Sequence, residues 1–174
     1  SVVAKRVKRA EGMIFQFLYQ AHKLITLVFT GHKINFGNYS CLTYEDVKIL
    51  STKASLWSSY SGTVKKNLKN FNEVNSIRGI RYFGPSQMSL FKLLVHSFSI
   101  IAVFRSQVLM RSLIILIILG ALVSLIGKTA YFFQIILVLF NFTILLVSKR
   151  ENKTDLINSH SNLENVKVLN NDKL

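Results

Sequence analysis

Two apolar stretches near the C-terminal end constrain this chain more than any other feature. Ser112–Ile126 carries no charge and is extended backward by Val108–Met110, with Arg111 able to snorkel. Thr129–Ser148 is a second run of 20 residues. Each is long enough to span a membrane as a helix, over about 108–127 and 129–148. Only Gly127-Lys128 separates them, which leaves room for nothing but a tight hairpin and places both flanks on the same side. Arg105 and Arg111 before the hairpin, with Lys149, Arg150 and Lys153 after it, outweigh Lys128 in the turn. By the positive-inside bias, the N-terminal part and the C-terminal tail are both expected in the cytoplasm, the chain being a multi-pass membrane protein.

Such an anchor leaves about 105 residues facing water, too few for a full soluble enzyme domain. The formal charge of +14 is uneven. Residues 1 to 111 hold sixteen Lys and Arg against four acids, and the tail after Glu151 is close to neutral. A basic surface beside a membrane meets anionic headgroups, worth about 1 kcal/mol per Lys or Arg, or cradles phosphorylated ligands. The basic residues form no long run and no recognition motif, so nucleic acid is not expected as a partner. Cys41 is the only cysteine, which excludes an internal disulfide and a Cys cluster for zinc and leaves a buried thiol as the expectation. No charged-then-apolar leader precedes the first strand, and the chain reads as a fragment of a longer protein. The acceptor patterns at Asn38-Tyr39-Ser40, Asn141-Phe142-Thr143 and Asn152-Lys153-Thr154 are chance matches, one lying inside an apolar run and two on the cytoplasmic side.

Alternation of apolar and basic residues over Ser1–Arg9 predicts a short strand running into a basic loop. Apolar residues at 13, 14, 17, 18, 24, 25 and 28 predict a helix over Met13–Phe29 that packs on a sheet or lies on the membrane, with Gln16, Gln20, His22 and Lys23 arguing against a span. Gly31 and Gly37 bracket a hairpin or crossing. Thr43 opens a helix to about Thr52, and Glu45 and Asp46 suit its positive end better than they suit a metal. A further helix is expected over Leu56–Leu68, with Trp57 and Tyr60 on its buried side. Asn72–Tyr82 is polar, then strand-like, and ends at Gly84-Pro85. Met88–Phe104 is helical with a polar stripe of Ser89, Lys92, His96 and Ser99, as in a helix lying in the headgroup plane. His96 lacks a His, Cys or acidic neighbour one turn away, so a headgroup-level role is favoured over a metal ligand. The tail over 149–174 has too few large apolar residues to pack and is expected to be disordered.

Four stretches, in this order and spacing, resemble membrane-anchored family 2 glycosyltransferases of the polyprenyl-phosphate, dolichol-phosphate mannose synthase-like group. They are Val2-Val3-Ala4-Lys5-Arg6-Val7-Lys8-Arg9, Phe36-Gly37-Asn38-Tyr39-Ser40-Cys41-Leu42, Arg81-Tyr82-Phe83-Gly84-Pro85-Ser86-Gln87-Met88 and His96-Ser97-Phe98-Ser99-Ile100-Ile101-Ala102-Val103-Phe104. The resemblance covers about 100 residues and corresponds to the C-terminal portion of such enzymes. It implies an α/β fold in which residues 1–85 form part of a GT-A-like sheet with helices, 86–104 an interfacial amphipathic helix, and 105–148 two transmembrane helices. Most of this chain would then be helical.

In that group an Asp-x-Asp motif in the preceding half holds Mg²⁺ or Mn²⁺ against the nucleotide sugar. No Asp-x-Asp occurs here, so no cofactor is expected in this chain. Asn38 stands where relatives often carry Asp, and an amide cannot act as a base, so the catalytic base is unassigned. The Gln-x-x-Arg-Trp motif of processive synthases is also absent. The resemblance implies sugar transfer from a nucleotide sugar to a lipid phosphate or another acceptor near the membrane. Arginine and lysine would neutralise phosphate charge, with Lys5, Arg6 and Arg9 in the loop after the first strand and Arg81 before the membrane helix as candidates. Asn38, Ser86, Lys92 and His96 would lie on the acceptor side, Ser86 as a helix cap. The alternative is a non-catalytic, membrane-anchored accessory protein that binds lipid or a partner. A channel is disfavoured because Gln134 and Asn141 are the only strongly polar residues inside the two runs. Self-association stays open.

Overall fold

The computed structural model describes residues 1–8, 13–77 and 89–159. The sequence expectations for Arg9, Arg81 and Ser86, for the Gly84-Pro85 boundary and for the last part of the tail lie outside the described residues.

β1 (Val2–Lys8) is followed by the helix α1 (Met13–Thr30), then β2 (Phe36–Cys41) and α2 (Tyr44–Ser51). A 3-10 turn over Ala54–Trp57, α3 (Tyr60–Asn67) and β3 (Asn72–Ile77) complete the first unit. The sheet has the order β2-β1-β3. β1 pairs antiparallel with β2, Val3 facing Ser40, and parallel with β3, Ala4 facing Val74. Parallel pairing needs a crossover, which the short helices between β2 and β3 provide. They cover one face, where Val3, Phe36, Leu50, Val64 and Leu68 form the core. The opposite face is open: Tyr39, Cys41 and Val74 are exposed around a shallow hollow of about 200 Å³.

The local signals set these helices. Thr43 Oγ1 accepts from the Asp46 amide at 3.4 Å, with Glu45 and Asp46 in the first turn, as expected for an N-cap and the helix dipole. The expected Leu56–Leu68 helix is split, because Ser59 turns extended and its hydroxyl accepts from the Gly62 amide at 3.2 Å, starting a new helix. Trp57 falls on the 3-10 turn before that break and is 48% exposed rather than buried. Tyr60 is half-buried, its hydroxyl bonded to that of Ser40. The Cys41 thiol, expected to be buried, is exposed because it ends a strand beside the open face.

The second unit begins with α4 (Leu90–Ala102) and α5 (Arg105–Ala121). Ser89 caps α4 by accepting from the Lys92 amide at 3.3 Å, the role expected of Ser86. The two helices meet at an elbow, Val103-Phe104, bent by 88°. α5 breaks at Leu122 next to Gly120, a weak helix former, and a single turn, α6 (Val123–Ile126), leads to Gly127 at φ 58°. α7 (Lys128–Ser148) packs along α5, with Gln134 Nε2 donating to the Leu116 carbonyl at 3.5 Å. Among the described residues, α7 with its extension is the one unbroken helix long and apolar enough to cross a membrane. α4 and α5 meet that test only when taken together across their bend, so the first apolar run is not the single straight span expected.

α8 (Lys153–Ile157) makes the start of the tail helical, capped by Asn152 Oδ1, which accepts from the Thr154 and Asp155 amides. α1 packs on α5 and α4 rather than on the sheet. The two units therefore join through α1 and also through α3 and α4, where a Cβ at Gly62 would lie 3.1 Å from Val103 Cγ2 and 3.2 Å from the Ile100 carbonyl oxygen.

Candidate cationic site at the elbow

The elbow gathers charge. Ile101, Ala102, Val103 and Phe104 are at most 1% exposed, and Ile101 and Ala102 pack with Val108 and Ile144 in a second core. A chain turning through 88° cannot continue its helical hydrogen bonds, so α4 ends with carbonyls to satisfy. Lys66, reaching across from α3, donates to the Val103 carbonyl. A cation at a helix C-terminus is favoured by the dipole and by the direct bond. Burial holds the Lys66 ammonium below the usual lysine range; Arg105 pushes it the same way and Glu151 opposes them.

The neighbouring groups come from every surrounding element. Arg105 Nη1, at the start of α5, is 2.7 Å from Glu151 Oε2, which follows α7. Arg150 Nη1 donates to Ser99 Oγ at 3.1 Å, and Ser99 Oγ donates to the Val95 carbonyl at 2.8 Å. Ser58 Oγ donates to the Ser99 carbonyl at 3.2 Å, tying the sheet unit to the same turn of α4. His32 stacks against Phe104 with ring centroids 4.8 Å apart. Burial first, then the charges of Lys65 and Arg111, lower the His32 pKa. Arg111 Nη1 donates to the Val28 carbonyl at 3.0 Å and closes the C-terminal end of α1.

Lys65, Lys66, Arg105, Arg111 and Arg150 therefore ring one end of the apolar helices, and Glu151 is the carboxylate among them. One Glu151 oxygen accepts from Arg105, whereas Oε1 is buried without a hydrogen-bond partner among the described residues. This collar carries a net positive charge, although each cation has a partner in the chain: Lys66 and Arg111 a carbonyl, Arg105 the Glu151 carboxylate, Arg150 the Ser99 hydroxyl and Lys65 the Phe71 ring at 5.2 Å.

The residues singled out in sequence are placed differently. Lys5 and Arg6 lie within β1 rather than in the loop after it. Lys5 Nζ is held by Glu73 of β3 at 3.0 Å, and the Arg6 backbone pairs opposite Ser76. Asn38 is exposed in β2. Lys92 and His96 are exposed one turn apart on α4. The structure thus leaves Lys5 and Asn38 in the sheet and Lys92 and His96 on α4, with α3 and the collar at the contact between the two units. Comparison with protein-family models, characterised proteins and solved structures gives no match. The collar residues were legible only as flanking charges: Arg105, Arg111 and Arg150 mark the ends of apolar runs, whereas Lys65 and Lys66 carry no signal beyond their charge.

Among the described residues no group of three or more His, Cys, Asp or Glu could hold a metal ion.

Proposed function

We propose that this chain is the membrane-anchored, acceptor-side part of a family 2 glycosyltransferase, which transfers a sugar from a nucleotide sugar to a lipid phosphate at the cytoplasmic face. The observation that carries the reading is the collar of Lys65, Lys66, Arg105, Arg111 and Arg150 at the foot of the apolar helices. Its net positive charge supports the reading, since it suits the phosphate of a lipid inserted beside α5 and α7. A lipid phosphate is already an anionic nucleophile, so the protein has to position it and offset its charge rather than remove a proton.

In this reading α5 and α7 form a transmembrane hairpin with both flanks cytoplasmic, and α4 lies in the headgroup plane with Lys92 and His96 toward the acceptor. The mixed sheet with one open face is part of a GT-A-like unit, and Arg6, Arg9 and Arg81 meet the donor diphosphate. The absence of an Asp-x-Asp motif favours a second reading for the chain by itself, a non-catalytic anchor that binds anionic lipid. Donor binding with Mg²⁺ or Mn²⁺ then belongs to a preceding half.

The test is binding of the full chain, in phosphatidylcholine nanodiscs, to polyprenyl phosphate followed by its ³¹P resonance. Tight binding, weakened about tenfold by Lys66→Gln with Arg150→Gln, is expected, about 1.4 kcal/mol. Equal affinity for uncharged polyprenol overturns the phosphate reading.

A further inference from the structure

α1 is built inside out. At helical spacing, Tyr19, His22, Lys23, Thr26 and Thr30 share one face, and this polar face is the one turned inward. Thr26 and Thr30 are each 2% exposed, their hydroxyls donating to the His22 and Thr26 carbonyls one turn back. The opposite stripe is apolar and uncovered among the described residues: Met13 is 86%, Phe17 73%, Leu24 63% and Val28 43% exposed. Gln20 is the polar member of that stripe. A helix facing water shows the reverse arrangement.

The stripe does not stand alone. The C-terminal turns of α1 are fixed against the membrane helices: His32 touches Phe104, Arg111 reaches Val28, and the Phe29 ring lies 4.6 Å from that of Phe140 in α7. Phe140 lies well inside the apolar run of α7, so α1 meets that helix below its charged end. The C-terminal end of α1 therefore abuts α5 and α7, whose Leu113, Ile117, Phe133 and Phe142 are exposed like the apolar stripe of α1. Lys23 folds over the Tyr19 ring at 4.9 Å, an arrangement suited to the boundary between apolar and polar surroundings.

We infer that α1 is a further membrane-embedded element, with Phe17, Leu24 and Val28 immersed among lipid acyl chains and its polar face sealed against α4 and α5. This rests on the reading of α7 as a membrane span. A helix whose polar face is turned inward and whose apolar side is bare fits hydrocarbon as its solvent, and its contacts with α5 and with Phe140 of α7 point to the hydrocarbon around those helices.

The experiment uses the full chain with Cys41→Ser and single cysteines at Leu24, Phe17, Phe133 or Ser51, each carrying a nitroxide, in phosphatidylcholine–phosphatidylglycerol vesicles. Power saturation compares dissolved oxygen with a water-soluble nickel chelate. At Leu24 and Phe17, as at Phe133, oxygen is expected to dominate at least fivefold over the value at Ser51. Nickel access at Leu24 with oxygen dominance at Phe133 overturns the inference and leaves the anchor intact. Exclusion of both reagents at Leu24 means that a protein surface covers the stripe and also overturns it. Nickel access at Phe133 removes the anchor and the inference together.

Discussion

Gly31 is where the geometry makes its sharpest demand. It follows α1 at φ 77°, in the left-handed region, and a Cβ there would come within 2.5 Å of Arg111 Nη2. The same guanidinium donates to the Val28 carbonyl. Gly31→Ala therefore has two consequences: the left-handed backbone costs about 1–2 kcal/mol for a residue with a Cβ, and displacing Arg111 costs about 0.5–1.5 kcal/mol for one exposed hydrogen bond. Together they amount to about 1.5–3.5 kcal/mol.

The components separate in a cycle with Arg111→Met, measured by denaturant unfolding of the detergent-solubilised chain and followed by circular dichroism. With Arg111 absent, Gly31→Ala should cost only the backbone part, leaving a coupling of about 1 kcal/mol. Asn tolerates the left-handed region better than alanine yet still carries a Cβ, so Gly31→Asn should keep the coupling while lowering the backbone cost. An equal cost of Gly31→Ala with and without Arg111 would refute the steric argument.

Four further outcomes follow from the collar and the α7 seam. His32 titrates below its ordinary value, so the folded state resists a proton that the unfolded chain accepts; stability should be full above about pH 6.5 and decline as pH falls from there toward the folded pKa. Lys65→Gln and Arg111→Gln should each raise the His32 pKa in an NMR titration, and no movement would remove those charges from its surroundings. Arg105→Met leaves Glu151, with only 14% of its side chain exposed, without its ion-pair partner, and should cost about 1–3 kcal/mol, seen as earlier proteolysis near α8, whereas adding Glu151→Gln should restore part of the loss. Asn141 donates to the Leu137 carbonyl, but its Oδ1 is buried without a partner among the described residues, so Asn141→Leu should be neutral or raise the thermal midpoint, and a large drop would reveal an acceptor role.

What the sequence made legible was local. Thr43 with its acids, the strand over Val2–Lys8 and the apolar helix ending at Ser148 announce themselves through capping and periodicity within a few residues. Trp57 was misplaced because helical spacing was continued across Ser59, whose side chain ends one pattern and begins another. The break at Leu122 was hidden by composition, since an apolar run has the same hydropathy whether straight or interrupted. α1 displayed its stripe plainly, but a stripe does not reveal whether its apolar side meets protein or another medium.

The site was less legible than the fold. Lys66 and Val103 are 37 residues apart, and Arg105 and Glu151 are 46 apart. No spacing rule relates charges that only the elbow and the return of α7 bring together. Of the residues chosen from resemblance, the described ones divide between the sheet and α4, and Lys5 is neutralised by Glu73 across a parallel register that only the folded sheet reveals.

The contact at Gly62 carries a consequence of scale. With a hydrogen atom where other residues have a carbon, α3 settles against Val103 and Ile100, and that contact works together with the Ser58–Ser99 and Lys66–Val103 hydrogen bonds to hold the sheet unit on the helices. Any heavier side chain there requires Val103, the Ile100 carbonyl or Ser59 to give way by a few tenths of an ångström. How closely the sheet unit sits on the helices is set at this point by one missing methyl group.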